Sequence, residues 1–208
     1  MSRSDRFSEI YRVNWWGGNR ESASGAGSTL ANTAELRASL PDFLRAHGVQ
    51  TFLDAPCGDL NWIKTTELPE GMVYIGADIV PSLIADLERT QAHPNRKFMV
   101  LDLVEDDYPA ADMLMCRDCL LHLSHQDVFG MLRNYVKSGI PGLLTTYMPN
   151  VSKNTDIETG QYRPLNLTEA PYNLPAPQEY LTDYTPPRRE KYLGFWTREQ
   201  IAEALDKA

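Results

Sequence analysis

The chain has 208 residues, of which 42% are apolar and 23% charged, and its formal net charge is −8. That length fits one domain with a small elaboration, and that apolar share fills a full core. The acidic balance argues against a nucleic-acid backbone as main partner, because binding phosphate takes clustered lysine and arginine. Met1–Glu9 is charged and polar, unlike a signal peptide. No apolar run reaches the roughly 18 residues of a membrane span. A soluble cytoplasmic protein is therefore expected, with no membrane partner and with its oligomeric state open.

The first segment, Ser4–Ala31, carries Tyr11, Trp15 and Trp16 and then a Gly/Ser-rich run, Glu21–Ser28. Such a run reads as a linker on composition, but the aromatics beside it predict an ordered piece that packs on something. Leu36, Leu40, Phe43 and Leu44 recur at helical intervals and stop at His47-Gly48. Pro41 within them predicts a kink or two short helices.

Thr51–Leu53 then reads as a buried strand with Asp54 at its carboxyl end. Pro56-Cys57-Gly58 forces a tight turn, and a short helical piece, Leu60–Lys64, follows. Val73–Ile79 is a second strand, containing Asp78, and Pro81 starts a helix striped by Leu83, Ile84 and Leu87. Lys97–Leu101 is a third strand, followed by Asp102. Ala111–Cys116 is a fourth. Ser124 with Asp127 opens a helix that Gly139 closes, and Gly142–Met148 is a fifth strand.

This alternation predicts a parallel sheet covered by helices on both faces. In such sheets a ligand binds outside the carboxyl ends of the strands. Asp54, Asp78, Asp102 and Arg117-Asp118 collect there. The turn after the first strand holds one glycine where a dinucleotide fingerprint needs three. Asp78, 24 residues beyond Asp54, stands where a carboxylate accepts two ribose hydroxyls. Asp102 is placed to accept from an adenine amino group, with Leu103 on the ring.

Residues 149–187 hold 7 of the 14 prolines and are rich in tyrosine. They read as a long ordered loop rather than a disordered tail. Tyr180–Tyr184 and Lys191–Trp196 are expected as a final antiparallel hairpin. Thr197 with Gln200 caps a last helix, Arg198–Asp206. Cys116 and Cys119 are expected to be buried structural thiols, and the three cysteines, Cys57 included, to stay reduced.

The order of elements from Thr51 to Met148, with Asp54, Cys57 and Gly58 as a first motif, resembles class I S-adenosylmethionine-dependent methyltransferases. Proline replaces that family's usual first glycine at Pro56. The resemblance implies a Rossmann-like α/β fold, a doubly wound, mostly parallel seven-stranded sheet with its last strand antiparallel. It implies S-adenosylmethionine as cofactor and S-adenosylhomocysteine as product. Asp54, Pro56, Cys57, Gly58, Asp78, Ile79, Asp102, Leu103 and Arg117 are then the expected cofactor contacts. Residues 1–208 form one domain: an N-terminal lid with helices over 1–47, a cofactor core over 48–148, and an acceptor loop over 149–190.

The expected function is methyl transfer to a small-molecule or glycan acceptor, at oxygen. A nicotinamide-dependent oxidoreductase and a non-catalytic S-adenosylmethionine-binding protein are the alternatives. Asp118 and His122, at i and i+4 on a short helix, are the candidate base. A metal held by them with His125 is a weaker pattern, and no metal is expected. Trp15, Tyr147, Asn150, Arg163 and Asn166 are the expected acceptor contacts. Arg163 and Asn166 suit a polyhydroxylated or anionic acceptor, or else only hold the loop together.

Overall fold

The computed structural model describes residues 1–17, 21–184 and 190–207. Seven strands form one sheet: β1 Thr51–Asp54, β2 Val73–Asp78, β3 Arg96–Val100, β4 Met113–Cys116, β5 Gly142–Tyr147, β6 Glu179–Tyr184 and β7 Lys191–Thr197. Their spatial order is β3-β2-β1-β4-β5-β7-β6. Every neighbouring pair from β3 to β5 is parallel, and β7 runs antiparallel to both β5 and β6. The order reverses between β1 and β4, which opens a crevice above the carboxyl ends of these two strands. Part of the expected acceptor loop, residues 185–189, lies outside the described residues, as do residues 18–20 of the expected lid.

Among the described residues there are five helices, α1 Arg3–Arg12, α2 Ala34–Ala46, α3 Pro81–Thr90, α4 His125–Ser138 and α5 Arg198–Leu205, of which α2 to α5 cover the sheet. The two faces build separate cores. Val128, Met131, Leu132 and Tyr135 of α4, with Ile201 of α5, pack against Leu53, Leu114, Leu143 and Trp196. Leu36, Leu40, Phe43 and Leu44 of α2, with Ile84 and Leu87 of α3, pack against Phe52, Met115, Leu144 and Phe195. Burial on both faces explains why the central strands read as apolar runs rather than as alternations.

Local signals set the ends. Ser124 Oγ accepts from Asp127 N at 3.1 Å, and Gly139 closes α4 in the left-handed region at φ 78°. Thr197 and Gln200 make a reciprocal capping box on α5. Two expectations are met only in part. Pro41 lies inside α2 without splitting it; the side chains around it are buried on the sheet, and tertiary packing outweighs the lost backbone bond. The piece after Gly58 is only a 3₁₀ turn, Ile63–Thr65. Among the described residues no helix is long and apolar enough to cross a membrane.

Candidate functional site

A cavity of about 500 Å³ opens above β1, β2 and β4. Asp54, Pro56, Cys57, Gly58, Asp78, Ile79, Arg117, Asp118 and His122 all line it. A smaller one of about 40 Å³ adjoins it at the β3 side, lined by Asp102, Leu103 and Leu123. Phe7, Pro56, Asp78, Ile79 and Cys119 face both. Together they hold every residue expected to contact a cofactor.

The turn after β1 is built on backbone geometry. Cys57 N donates to Ala77 O at 2.8 Å, which ties the turn to β2. Gly58 has φ +56° and gives its N–H to Asp78 Oδ2 at 3.2 Å. A Cβ there would collide with the Ser24 hydroxyl. Glycine is thus demanded by conformation and by close approach together. Asp78 Oδ1 accepts from Val80 N at 3.1 Å. Each of its oxygens keeps a lone pair for a further donor.

Burial dominates the electrostatics. It raises the Asp78 carboxyl to about 6, opposed by the backbone donors of Val80, Gly58 and Ile79. It raises Asp54 to about 7, opposed by the Tyr74 hydroxyl, which donates at 2.6 Å, and by Arg117. Cys57 is also pushed up by burial and by the two acids, so it is an inert thiol. Cys119, expected to be buried, is half-buried and faces both cavities.

Four charges close the floor. Arg117 makes a two-pronged bond to Asp183, with Nε 3.0 Å from Oδ2 and Nη2 2.8 Å from Oδ1. Lys191 Nζ reaches Asp118 at 2.6 Å and Asp183 at 3.2 Å. Burial works against the Asp118 charge, but Lys191 and Arg117 overcome it and hold this carboxyl well below the usual range. A carboxylate so held is a poor base. Nor do Asp118 and His122 share a helix face: Asp118 precedes the 3₁₀ turn Leu120–His122 and sits at φ +52°.

His122 has the geometry of a base. Its Nδ1 lies 2.8 Å from Gln161 O, so the neutral ring donates there and leaves Nε2 as acceptor. Burial lowers its pKa, which keeps it neutral near pH 7. Trp16 packs on it at 4.9 Å, tilted by 36°, and Tyr162 approaches at 5.7 Å. His125 turns away to the edge of Tyr172, and no cluster of three metal-ligating side chains occurs among the described residues.

The roof comes from the N-terminal segment. Arg3 bonds Asp102 at 2.9 Å and Asp127 at 3.0 Å, and Ser4 Oγ donates to Ile79 O. The Gly/Ser-rich run is ordered: Asp59 accepts from Ser22 Oγ at 3.0 Å and from Ala23 N at 2.8 Å. Phe7, Tyr11 and Trp16 thereby face the cavity.

Of the expected acceptor contacts, none lines either cavity. Trp15 is 76% exposed, and its neighbour Trp16 faces inward instead. Tyr147 packs on Trp196 at 5.8 Å. Asn150 donates to Glu190. Arg163 is buried and donates to Leu120 O and Tyr172 Oη, while Asn166 donates to Val151 O. Both hold the loop together. Lys191, Trp16 and Tyr162 are site residues that sequence reasoning missed.

No family model matches the chain, and no curated protein matches it. Solved structures do. The magnesium protoporphyrin IX methyltransferase of Synechocystis PCC 6803, with S-adenosylhomocysteine bound, superposes with a TM-score of 0.57 at 14% identity. That match covers 82% of this chain and 85% of the other. The N-methyltransferase NodS of Bradyrhizobium japonicum WM9 gives 0.55 at 16% identity, over 80% and 93%. Human N-acetylserotonin methyltransferase, in complex with S-adenosylmethionine, gives 0.56 at 13% identity, over 93% of this chain and 56% of that one. At such identities the likeness is one of fold, and the fold is that of class I S-adenosylmethionine-dependent methyltransferases.

Proposed function

We propose that a protein with this fold and this cavity binds S-adenosylmethionine and methylates a hydroxyl oxygen of a small-molecule or glycan acceptor. The observation that carries the reading is Asp78, a buried carboxylate at the end of β2 that accepts from Gly58 N and lines the main cavity beside that turn. The donor set fits the cofactor. Asp78 accepts the ribose hydroxyls. Asp54, in the same cavity, suits the amino group. The slot between Leu103, Ile79 and Phe7 suits the adenine ring, and Arg117 lies at the carboxylate end.

The cofactor supplies a methyl group on a sulfonium, which an aligned nucleophile can take. The chain's own work is to align, to exclude water and to remove a proton. Arg3, Tyr11 and Trp16 hold the roof over the crevice. His122 Nε2 takes the acceptor proton, with Gln161 O fixing the tautomer. Asp118 serves as the counter-charge of Lys191.

Thermal melts with S-adenosylhomocysteine and with NAD test the reading. S-adenosylhomocysteine at 100 times its dissociation constant stabilises by about 2.7 kcal/mol, and NAD gives no comparable shift. No shift with saturating S-adenosylhomocysteine removes the proposal. The single glycine of the β1 turn makes NAD the weaker ligand, because a pyrophosphate needs closer backbone approach.

A further inference from the structure

Resting on that reading, we propose that the acceptor is a planar aromatic hydroxyl compound, a phenol or a hydroxylated heteroaromatic, seated against Trp16 and Tyr162 with its hydroxyl at His122.

The sheet divides the cavity. Asp54, Gly58 and Asp78 belong to β1, β2 and the turn between them, and Phe7 continues into the smaller cavity toward β3. That half suits the adenosyl group. The other half lies beyond the reversal point, over β4, β5 and β7. Leu121, His122, Met148 and Lys191 line it from the sheet side, Trp16 from the N-terminal roof and Tyr162 from the long loop.

Its chemistry is narrow. Lys191 and Asp118 face each other at 2.6 Å. Trp16, Tyr162, Leu121 and Met148 supply most of the remaining surface beside the His122 imidazole, while Arg117, which lines the cavity too, is engaged by Asp183 and Gly27 O. Trp16 and Tyr162 present ring faces and edges, which pair well with a further aromatic ring. A sugar brings several hydroxyls, and each one buried without a partner is costly. The side chains suited to it are already committed. Arg163 and Asn166 are each 2% exposed and bond the loop backbone, and Asn150 bonds Glu190.

The base also selects. Burial lowers the His122 pKa below its ordinary value, against the Gln161 carbonyl and Asp118, which raise it; Arg163 and Lys191 lower it further. A phenol loses its proton near pH ~10, as tyrosine does. A hydroxyl with the acidity of water, near ~15.7, lies far beyond such a base. The step balances: the phenolic proton passes to His122 Nε2 and later to solvent. The O–CH₃ bond forms as the S–CH₃ bond breaks, and sulfur keeps the electron pair as a neutral thioether.

The test uses the full chain loaded with S-adenosylhomocysteine for binding and with S-adenosylmethionine for turnover. The probes are 1-naphthol and methyl α-D-glucopyranoside. Calorimetry should show 1-naphthol binding and the glucoside not, and product release should follow the same order. Trp16→Ala and Tyr162→Ala should each weaken 1-naphthol about tenfold, and Tyr162→Ala should leave S-adenosylhomocysteine affinity within threefold. Tyr162 is 61% exposed, so its variant tests the site without endangering the fold. Binding or turnover of the glucoside without 1-naphthol overturns the proposal. So does 1-naphthol affinity indifferent to both variants. Failure of S-adenosylhomocysteine to bind overturns the methyl-transfer reading itself, whereas its binding without 1-naphthol overturns only the acceptor class.

Discussion

Arg3 Nε stands 2.9 Å from Asp102 Oδ2, across 99 residues of sequence, and the same guanidinium reaches Asp127 at 3.0 Å and Glu105 at 2.6 Å. One side chain thus pins the first helix to the loop after β3 and to the first turn of α4. The Arg3 and Asp102 side chains are 18% and 19% exposed, so the bonds are little weakened by water. Phe7, one turn further on, roofs both cavities.

Arg3→Met should therefore loosen the roof without unfolding the sheet. We expect a loss of about 1–3 kcal/mol, the scale of a charge-assisted hydrogen bond, and faster S-adenosylhomocysteine release. Stopped-flow dissociation and thermal melts check it. An unchanged release rate would show that α1 is a fixed wall.

The Asp78 carboxyl predicts a pH dependence. Its folded pKa, about 6, lies above the ~3.9 of an unfolded aspartate. Between these values the folded protein holds the extra proton, so for this group stability is greatest at low pH and falls as pH rises through 6. Asp54, at about 7, adds in the same direction. On the proposed reading, the ribose hydroxyls need the charged carboxylate. S-adenosylhomocysteine affinity should then rise about tenfold from pH 5 to pH 7 and level off. Calorimetry at four pH values checks it. Asp78→Ala should cost roughly 1.5–3 kcal/mol of binding and flatten the profile below pH 6.

Gly58→Ala should destabilise by about 1–2 kcal/mol, because φ +56° is unfavourable with a Cβ. The added methyl also meets Ser24, whose hydroxyl bonds Tyr11 at 2.5 Å. S-adenosylhomocysteine binding should weaken with stability, since turn and roof are displaced together. A melt and a titration on one preparation measure both.

Asp118→Asn should act on stability. The variant removes the carboxylate 2.6 Å from the Lys191 ammonium, which also reaches Asp183, itself shared with Arg117. We expect a loss of about 2–3 kcal/mol at pH 7, less than for a fully buried pair because Asp118 is 25% exposed. The folded pKa is depressed, so this stability is present above the ordinary aspartate range and is lost only as pH falls through the lower folded value. Adding Lys191→Met should recover part of it. A double variant no more stable than Asp118→Asn would mean the pair is not coupled.

The sheet was largely legible because strands buried on both faces are apolar runs, and each of the first three is followed or ended by an acid. Thr51–Asp54 and Gly142–Tyr147 fall within a residue of expectation. Helix α1 was missed, since only Ile10 of it is buried and no apolar stripe marks it. Its signal was the Ser2-Asp5 capping box, which the structure forms reciprocally. Lys191 reads as a surface lysine until its partner, 73 residues away, is known. Trp15 and Trp16 follow the end of α1, where no periodicity tells which ring turns inward. Arg163 and Asn166 had the right chemistry for a ligand but are buried within their own loop.

The chain meets itself at the cavity: Phe7 and Tyr11 come from its first dozen residues, Lys191 from its last strand. During synthesis the N-terminal helix emerges long before Asp59, Asp102 or Asp127 exist to hold it. The ion partners of Asp118 are complete only when Lys191 leaves the ribosome. The β1 turn and Asp78 are therefore made well before Lys191, and the cavity lining is incomplete until Lys191 follows. Completion of the cavity is thus a late event in folding, and a translation product cut short before Lys191 would lack the ammonium that stands 2.6 Å from Asp118.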